Sequence, residues 1–199
     1  MSSRLPKLVV LGVGLIGGSF ALALKARGVV GEVVGVGRSR GNLDEAVANG
    51  VIDRAVLRDG PWVRELGDAD IVLLATPVGE FPALLAAMPG TLAEGAVVTD
   101  GGSTKQDVVA AARAHLGAAL PRFVPAHPIA GTEQSGAGAA FATLFEGRHA
   151  VLTPLPETDA TALARVRTLW EACGADVVTL DAPTHDRILG AVSHLPHFL

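Results

Sequence analysis

Lys7-Leu-Val-Val-Leu11-Gly12-Val-Gly14-Leu-Ile-Gly17 is the stretch that decides the fold. The run from Lys7 to Leu11 is short, apolar and β-branched, and it ends at glycine, which reads as a buried parallel strand. Leu15 to Arg27 has a helical pattern closed by Gly28. In a strand–loop–helix unit of this kind the first glycine permits the tight turn. The second lets backbone approach a pyrophosphate, and the third lets helix and strand pack closely. The phosphates then face the open N–H groups of the helix N-terminus. A lone G-x-G-x-x-G is weak evidence. Here a strand precedes it, a helix follows, and a second strand at Glu32 to Val36 lies at the right distance, so the loop reads as a dinucleotide site. Its candidate cofactor residues are Gly12, Gly14, Leu15, Ile16 and Gly17. Thr76 and Pro77 join them where the third strand ends.

The end of the second strand selects between cofactors. NAD sites usually place Asp or Glu there to accept from the ribose 2′-OH. This chain has Gly37-Arg38-Ser39-Arg40 instead, with no carboxylate in that stretch. Arg38, Ser39 and Arg40 suit a 2′-phosphate through charge-assisted hydrogen bonds, so NADP is favoured over NAD. The competing reading is two solvated loop arginines.

Working outward, strand and helix alternate. Asp70-Ile-Val-Leu-Leu-Ala75 is a third strand, and strands are also expected at Ala96–Thr99, Phe123–Ala126, Ala150–Thr153 and Asp176–Leu180. Helices are expected at Asn42–Asn49, Glu80–Met88, Thr104–Leu116 with Ser103 as N-cap, and Ala160–Cys173. The pattern predicts an α/β, Rossmann-type, doubly wound and mostly parallel sheet with helices on both faces. From Ala182 a new helix begins and no strand follows it. The expected domains are therefore a dinucleotide-binding domain over 1–181 and the first part of a helical domain over 182–199, cut inside an element.

Composition narrows the function. With 49% hydrophobic and 18% charged residues the chain can bury a large core. The net charge of −4 is scattered, with no basic face for nucleic acid. Leu8 to Leu24 is apolar, but four glycines interrupt it and the dinucleotide motif occupies it, so no membrane segment is read there. A cytoplasmic protein follows. Cys173 alone gives neither a disulfide framework nor a cysteine metal site and reads as a small buried hydrophobe.

Two polar segments stand at the C-terminal ends of expected strands, where open α/β sheets bind ligands. They are Thr99-Asp100-Gly-Gly-Ser103-Thr104-Lys105 and His127-Pro-Ile-Ala-Gly131-Thr132-Glu133-Gln134-Ser135-Gly136. A histidine there suits the acceptance of a hydroxyl proton near neutral pH, and Ser103 is placed to bond both it and a substrate. Read alone, a histidine before proline is more often structural.

Together with the glycine loop and Val192-Ser-His194-Leu-Pro-His197, these segments resemble the prephenate/arogenate dehydrogenase family of tyrosine biosynthesis. The resemblance implies a Rossmann domain followed by a helical domain that forms a homodimer and supplies basic residues for the substrate. It implies that His127 meets the substrate C4 hydroxyl and that Ser103 orients that histidine. Thr132 and His194 are then substrate-binding, and His197 receives no role. The implied reaction is oxidative decarboxylation of a small-molecule substrate, prephenate or arogenate, with hydride passing to a nicotinamide cofactor. A β-hydroxyacid type of Rossmann dehydrogenase and a non-catalytic dinucleotide-sensing module are the alternatives.

Overall fold

The computed structural model describes residues 5–190. In chain order the elements are β1 (Leu5–Leu11), α1 (Leu15–Ala26), β2 (Val30–Gly37), α2 (Arg40–Ala48), β3 (Arg54–Leu57), β4 (Ile71–Leu74) and α3 (Phe81–Ala86). Then come β5 (Val97–Asp100), α4 (Gln106–His115), β6 (Phe123–Val124), β7 (Ala126–Pro128), β8 (His149–Leu152), α5 (Ala160–Ala172), β9 (Asp176–Thr179) and α6 (Ala182–Leu189). Six strands form a parallel sheet in the order β3-β2-β1-β4-β5-β6. The chain runs outward through β1, β2 and β3, then returns to β4 on the other side of β1. That reversal between β1 and β4 opens a crevice at their carboxyl ends, where open α/β sheets bind ligands.

Strand periodicity explains why Leu8 to Leu11 of β1 are all apolar. Leu8 and Val10 point into a core shared with Phe20 and Leu24 of α1 and Trp170 of α5. Val9 and Leu11 point to the opposite core, with Phe81, Leu85 and Phe123. Both faces of the sheet are covered, so alternate positions of the strand must all be hydrophobic. Among the described residues, no helix is long and apolar enough to cross a membrane.

Three expectations need correction. The sequence reading has no strand between α2 and β4, yet β3 pairs with β2 from Val34↔Arg54 to Gly37↔Leu57. Its four residues, Arg54 to Leu57, are too short a run to stand out, and as an edge strand none of them is fully buried. The sheet is also not continuous. Phe123 to Ala126 does not form one strand: β6 ends at Val124, and Pro125 lacks the N–H needed to extend the ladder. The chain restarts as β7, which carries His127 and joins a separate sheet, antiparallel to β8, with β8 parallel to β9. Finally, Ser103 does not cap a helix. α4 begins at Gln106, and the Asp186 carboxylate of α6 accepts from the amides of Lys105 and Gln106, each at 2.8 Å.

The residue just past Pro125 is held by side chains. Asp100 accepts from the Ala126 amide at 3.0 Å, and Lys105 donates to the Ala126 carbonyl at 2.6 Å. Asp100 and Lys105 are themselves paired at 2.5 Å, both fully buried. Burial pushes the Asp100 carboxyl up and the Lys105 ammonium down, and their mutual attraction opposes both shifts. At the opposite end of the sheet, Glu65 takes both Arg54 guanidinium nitrogens, at 2.7 and 2.5 Å, and Lys7 at 3.0 Å. These bonds, Arg54's foremost, draw its carboxyl from 4.5 down to about 2.

Lys105→Met should leave Asp100 buried and unpaired, at a cost of about 3–5 kcal/mol, read as a lower urea midpoint. The double variant with Asp100→Asn should lose less. A Lys105→Met protein as stable as the parent would show that the pair does not hold the strand. For Glu65 the folded carboxyl titrates below the unfolded one. Its contribution is complete above about pH 4.5 and is lost as pH falls toward 2. In Glu65→Gln the urea midpoint should vary less with pH across that window.

Candidate dinucleotide cleft and active site

A cleft of about 400 Å³ lies over the carboxyl ends of β1 to β4. Gly12, Val13 and Gly14 form one wall, and Ala75, Thr76 and Pro77 form the facing one. Gly12 sits at φ +103°, and a Cβ there would stand 2.6 Å from the Ala75 carbonyl oxygen, so only glycine fits. A Cβ on Gly17 would collide with the Gly12 carbonyl oxygen, which keeps α1 tight against the loop. Over Gly14 there is open space, with nothing within 4 Å of where a Cβ would stand. Gly14 caps α1 without a side chain, so the helix's first-turn amides have no side-chain acceptor. The Thr76 hydroxyl is buried and has no hydrogen-bond partner among the described residues. Open donors at a helix N-terminus, an orphaned hydroxyl and room above a glycine fit a dinucleotide's pyrophosphate and ribose. Leu15 and Ile16 are half-buried and pack against the core beneath.

At the outer end of the cleft the charges differ from the sequence reading. Arg38 and Ser39 line it, but Arg40 lies outside its lining and pairs along α2 with Asp44 at 4.0 Å. Ser39 also accepts from the Asn42 amide at 3.3 Å as the N-cap of α2. Sequence proximity suggests no carboxylate beside these arginines, yet Glu80 reaches in from the turn after β4. It pairs with Arg38 at 3.1 Å and, more closely, with Arg58 at the end of β3. Both Arg58 and Glu80 escaped the sequence reading. Recognising β3 as the strand due after α2 would have placed Arg58; Glu80 stands 42 positions from Arg38, and nothing local marks it.

The segment after β7 crosses the same cleft. Asn42 donates to the Val13 carbonyl at 2.7 Å and accepts from the Ala137 amide at 2.8 Å. One side chain thus ties the glycine loop to this segment and brings Ser135 and Gly136 into the lining. Thr132 is exposed and turns back on Gln134, accepting from its amide at 3.2 Å.

His127 lies outside that lining. A Cβ on Gly101 would lie 2.9 Å from Ile16 and 3.9 Å from Pro128, so the glycine loop and the His127 strand converge there. His127 lines a pocket of about 310 Å³ with Ala130, Gly131 and Leu189. Its Nδ1 lies 2.9 Å from Nε2 of His185, a fully buried residue of α6. The His185 Nδ1 lies 2.8 Å from an Asp186 oxygen. Burial alone would raise the Asp186 carboxyl. The Gln106 amide, His185 and the Lys105 amide outweigh it and hold the group below its usual range.

This ladder dictates tautomers. A carboxylate can only accept, so Nδ1 of His185 carries its proton and Nε2 of a neutral His185 accepts. The His127 Nδ1 then donates, and in neutral His127 the lone pair falls on Nε2, the nitrogen suited to take a proton. Among the described residues this imidazole meets His185 rather than Ser103, which is exposed and whose side chain makes no hydrogen bond there. His185 and Asp186 carry no sequence signal beyond adjacency to a helix start. His194 lies outside the described residues.

Comparison with known proteins places the fold in a family. Residues 20–179 match the family described as "Prephenate dehydrogenase, nucleotide-binding domain". The chain is 36% identical to the cyclohexadienyl dehydrogenase of Zymomonas mobilis, over 96% of this chain and 64% of that protein. It is 33% identical to the prephenate dehydrogenase of Bacillus subtilis, over 100% of this chain and 53% of that protein. Among solved structures, the prephenate dehydrogenase of A. aeolicus in complex with hydroxyphenyl propionate and NAD+ superposes with a TM-score of 0.90 at 36% identity. That match covers 100% of this chain and 68% of that one. The chain thus spans about half to two thirds of the length of the curated relatives it matches. A family match over most of the chain, the same fold, and the glycine loop facing the His127 strand lead to one assignment: the chain belongs to the prephenate/arogenate dehydrogenase family, through its nucleotide-binding domain.

Proposed function

We propose that this chain is the cofactor-binding and base-bearing part of an enzyme that oxidatively decarboxylates prephenate, arogenate or both, giving 4-hydroxyphenylpyruvate or tyrosine. The observation that carries the reading is the Asp186–His185–His127 ladder ending beside the glycine loop. When bound, the nicotinamide supplies the acceptor for the hydride leaving C4. Nε2 of His127 takes the proton of the C4 hydroxyl, and the ring loses its carboxylate as CO2. His185 holds the His127 ring in the required tautomer and stabilises the imidazolium that forms. Asp186 does the same for His185, and α4's amides hold Asp186 in turn. Gly12 to Gly17 bind the pyrophosphate, with Thr76 and Pro77 opposite. Ser103, Thr132 and His194 face the substrate. The cofactor is NADP in preference to NAD, with Arg38 meeting the 2′-phosphate. Residues 1–181 form the dinucleotide domain, and 182–199 begin a helical region through which the intact, cytoplasmic enzyme dimerises.

The direct test mixes the intact protein with NADP or NAD and with prephenate or arogenate, and follows reduced nicotinamide absorbance. No turnover of either substrate would refute the reading. His127→Asn should lower kcat by about 10²–10⁴, the usual worth of a general base, with dinucleotide affinity little changed. The limb of the pH profile that requires a deprotonated group should disappear with it. His185→Phe should lower kcat in the same direction by less, with KM nearly constant. Near-normal kcat in a folded His127→Asn protein would make the histidine structural. Arg38→Ala should weaken NADP far more than NAD, and equal loss for both would remove Arg38 from the phosphate site.

A further inference from the structure

Glu80 does something at the outer end of the cleft that a 2′-phosphate would also do. Its two oxygens bridge two guanidiniums, Arg38 at the end of β2 and Arg58 at the end of β3. All three side chains line the cleft that holds the glycine loop. The two arginines are not equivalent. Arg58 is 29% exposed and Glu80 18%, so they form the inner, better shielded pair, whereas Arg38, at 69%, reaches in from the solvent side.

We infer that Glu80 occupies the place of the 2′-phosphate between Arg38 and Arg58, and that it is the residue that grades NADP against NAD. The inference rests on the reading of the cleft as a dinucleotide site. The charge count gives its direction. Two guanidiniums and one carboxylate leave a single positive charge for the incoming ribose. A phosphate monoester carries about −1.5 to −2 at neutral pH and offers oxygens to forked donors of the same geometry. It must draw Arg38 away from Glu80 and then sit beside a carboxylate that keeps only Arg58. NAD makes no such demand, because a ribose hydroxyl donates to Glu80 as it stands. Arg58 therefore acts through Glu80: by holding that carboxylate it releases Arg38 for the phosphate. The acid that NAD sites usually carry at the end of the second strand is here supplied from the turn after β4, and the arginines oppose it.

The test measures binding, apart from turnover. Dissociation constants for NADP+ and NAD+, and for adenosine 2′,5′-bisphosphate and 5′-AMP as probes of the adenosine end alone, are obtained by calorimetry on the intact protein and on Glu80→Gln. Removing one like charge at contact distance should tighten NADP+ and the bisphosphate by about tenfold or more. NAD+ and 5′-AMP should change little or weaken. Glu80→Ala should move the ratio the same way, which guards against an effect peculiar to the amide. Arg58→Ala should weaken the two ligands that carry a 2′-phosphate, and adding Glu80→Gln to it should restore much of that loss. A Glu80→Gln protein whose NADP+ to NAD+ ratio stays within about twofold of the parent, or moves toward NAD+, would overturn the inference while leaving the dinucleotide reading intact. Failure of the parent itself to bind either dinucleotide would overturn both.

Discussion

The contact on which the candidate site depends is the buried pair of Asp100 and Lys105, clasping both backbone polar groups of Ala126. Pro125 ends the parallel sheet, and at that point the chain has no ladder to direct it. An ion pair in a dry interior gains from having no competing water, provided every remaining lone pair and proton finds a partner. Here the partners are the amides of Ala126 and Gly102 and the carbonyl of Ala126. The charges on which a functional reading of the D-x-x-S-x-K segment would first settle are therefore used to aim the next strand. Because Ala126 is fixed, His127 emerges one residue later in a defined direction and in register with Val151 of β8.

Much of the architecture was legible in the sequence because it rests on local rules. The β1 run had to be apolar on both faces, and Gly12 had to be glycine because its backbone conformation and the nearby Ala75 carbonyl admit nothing else. What escaped was produced by contact between distant segments. β3 is too short to announce itself, and its end delivers Arg58. The break at Pro125 was visible as a proline, but the antiparallel pairing that follows depends on β8, more than twenty residues away. Ser103 was a reasonable N-cap by residue type. The cap came instead from Asp186, 81 positions from Lys105, which no helix signal near Ser103 could reveal.

The cleft shows the same division. Its glycine loop was readable from spacing together with the strand before it and the helix after it. Its electrostatics were not, since the sign and strength of a site depend on which charges share it and how well water screens them. Arg38 lines the cleft. Arg40, two residues on, turned with the helix to face Asp44. Glu80, read only as the start of a helix, altered the balance that the arginines suggested.

Asp186 serves two masters at once: one oxygen pair closes the N-terminus of α4, and one of those oxygens also anchors His185. The orientation of His127 is therefore tied to the seating of α6 on α4, and the tie is reciprocal. Any ligand or neighbour whose grip differs between a seated and a tilted α6 must change the proton affinity of His127. By the same linkage, protonating His127 must alter how firmly α6 is held. A helix that looks peripheral to the cleft is thus coupled to the His127 imidazole through a single carboxylate.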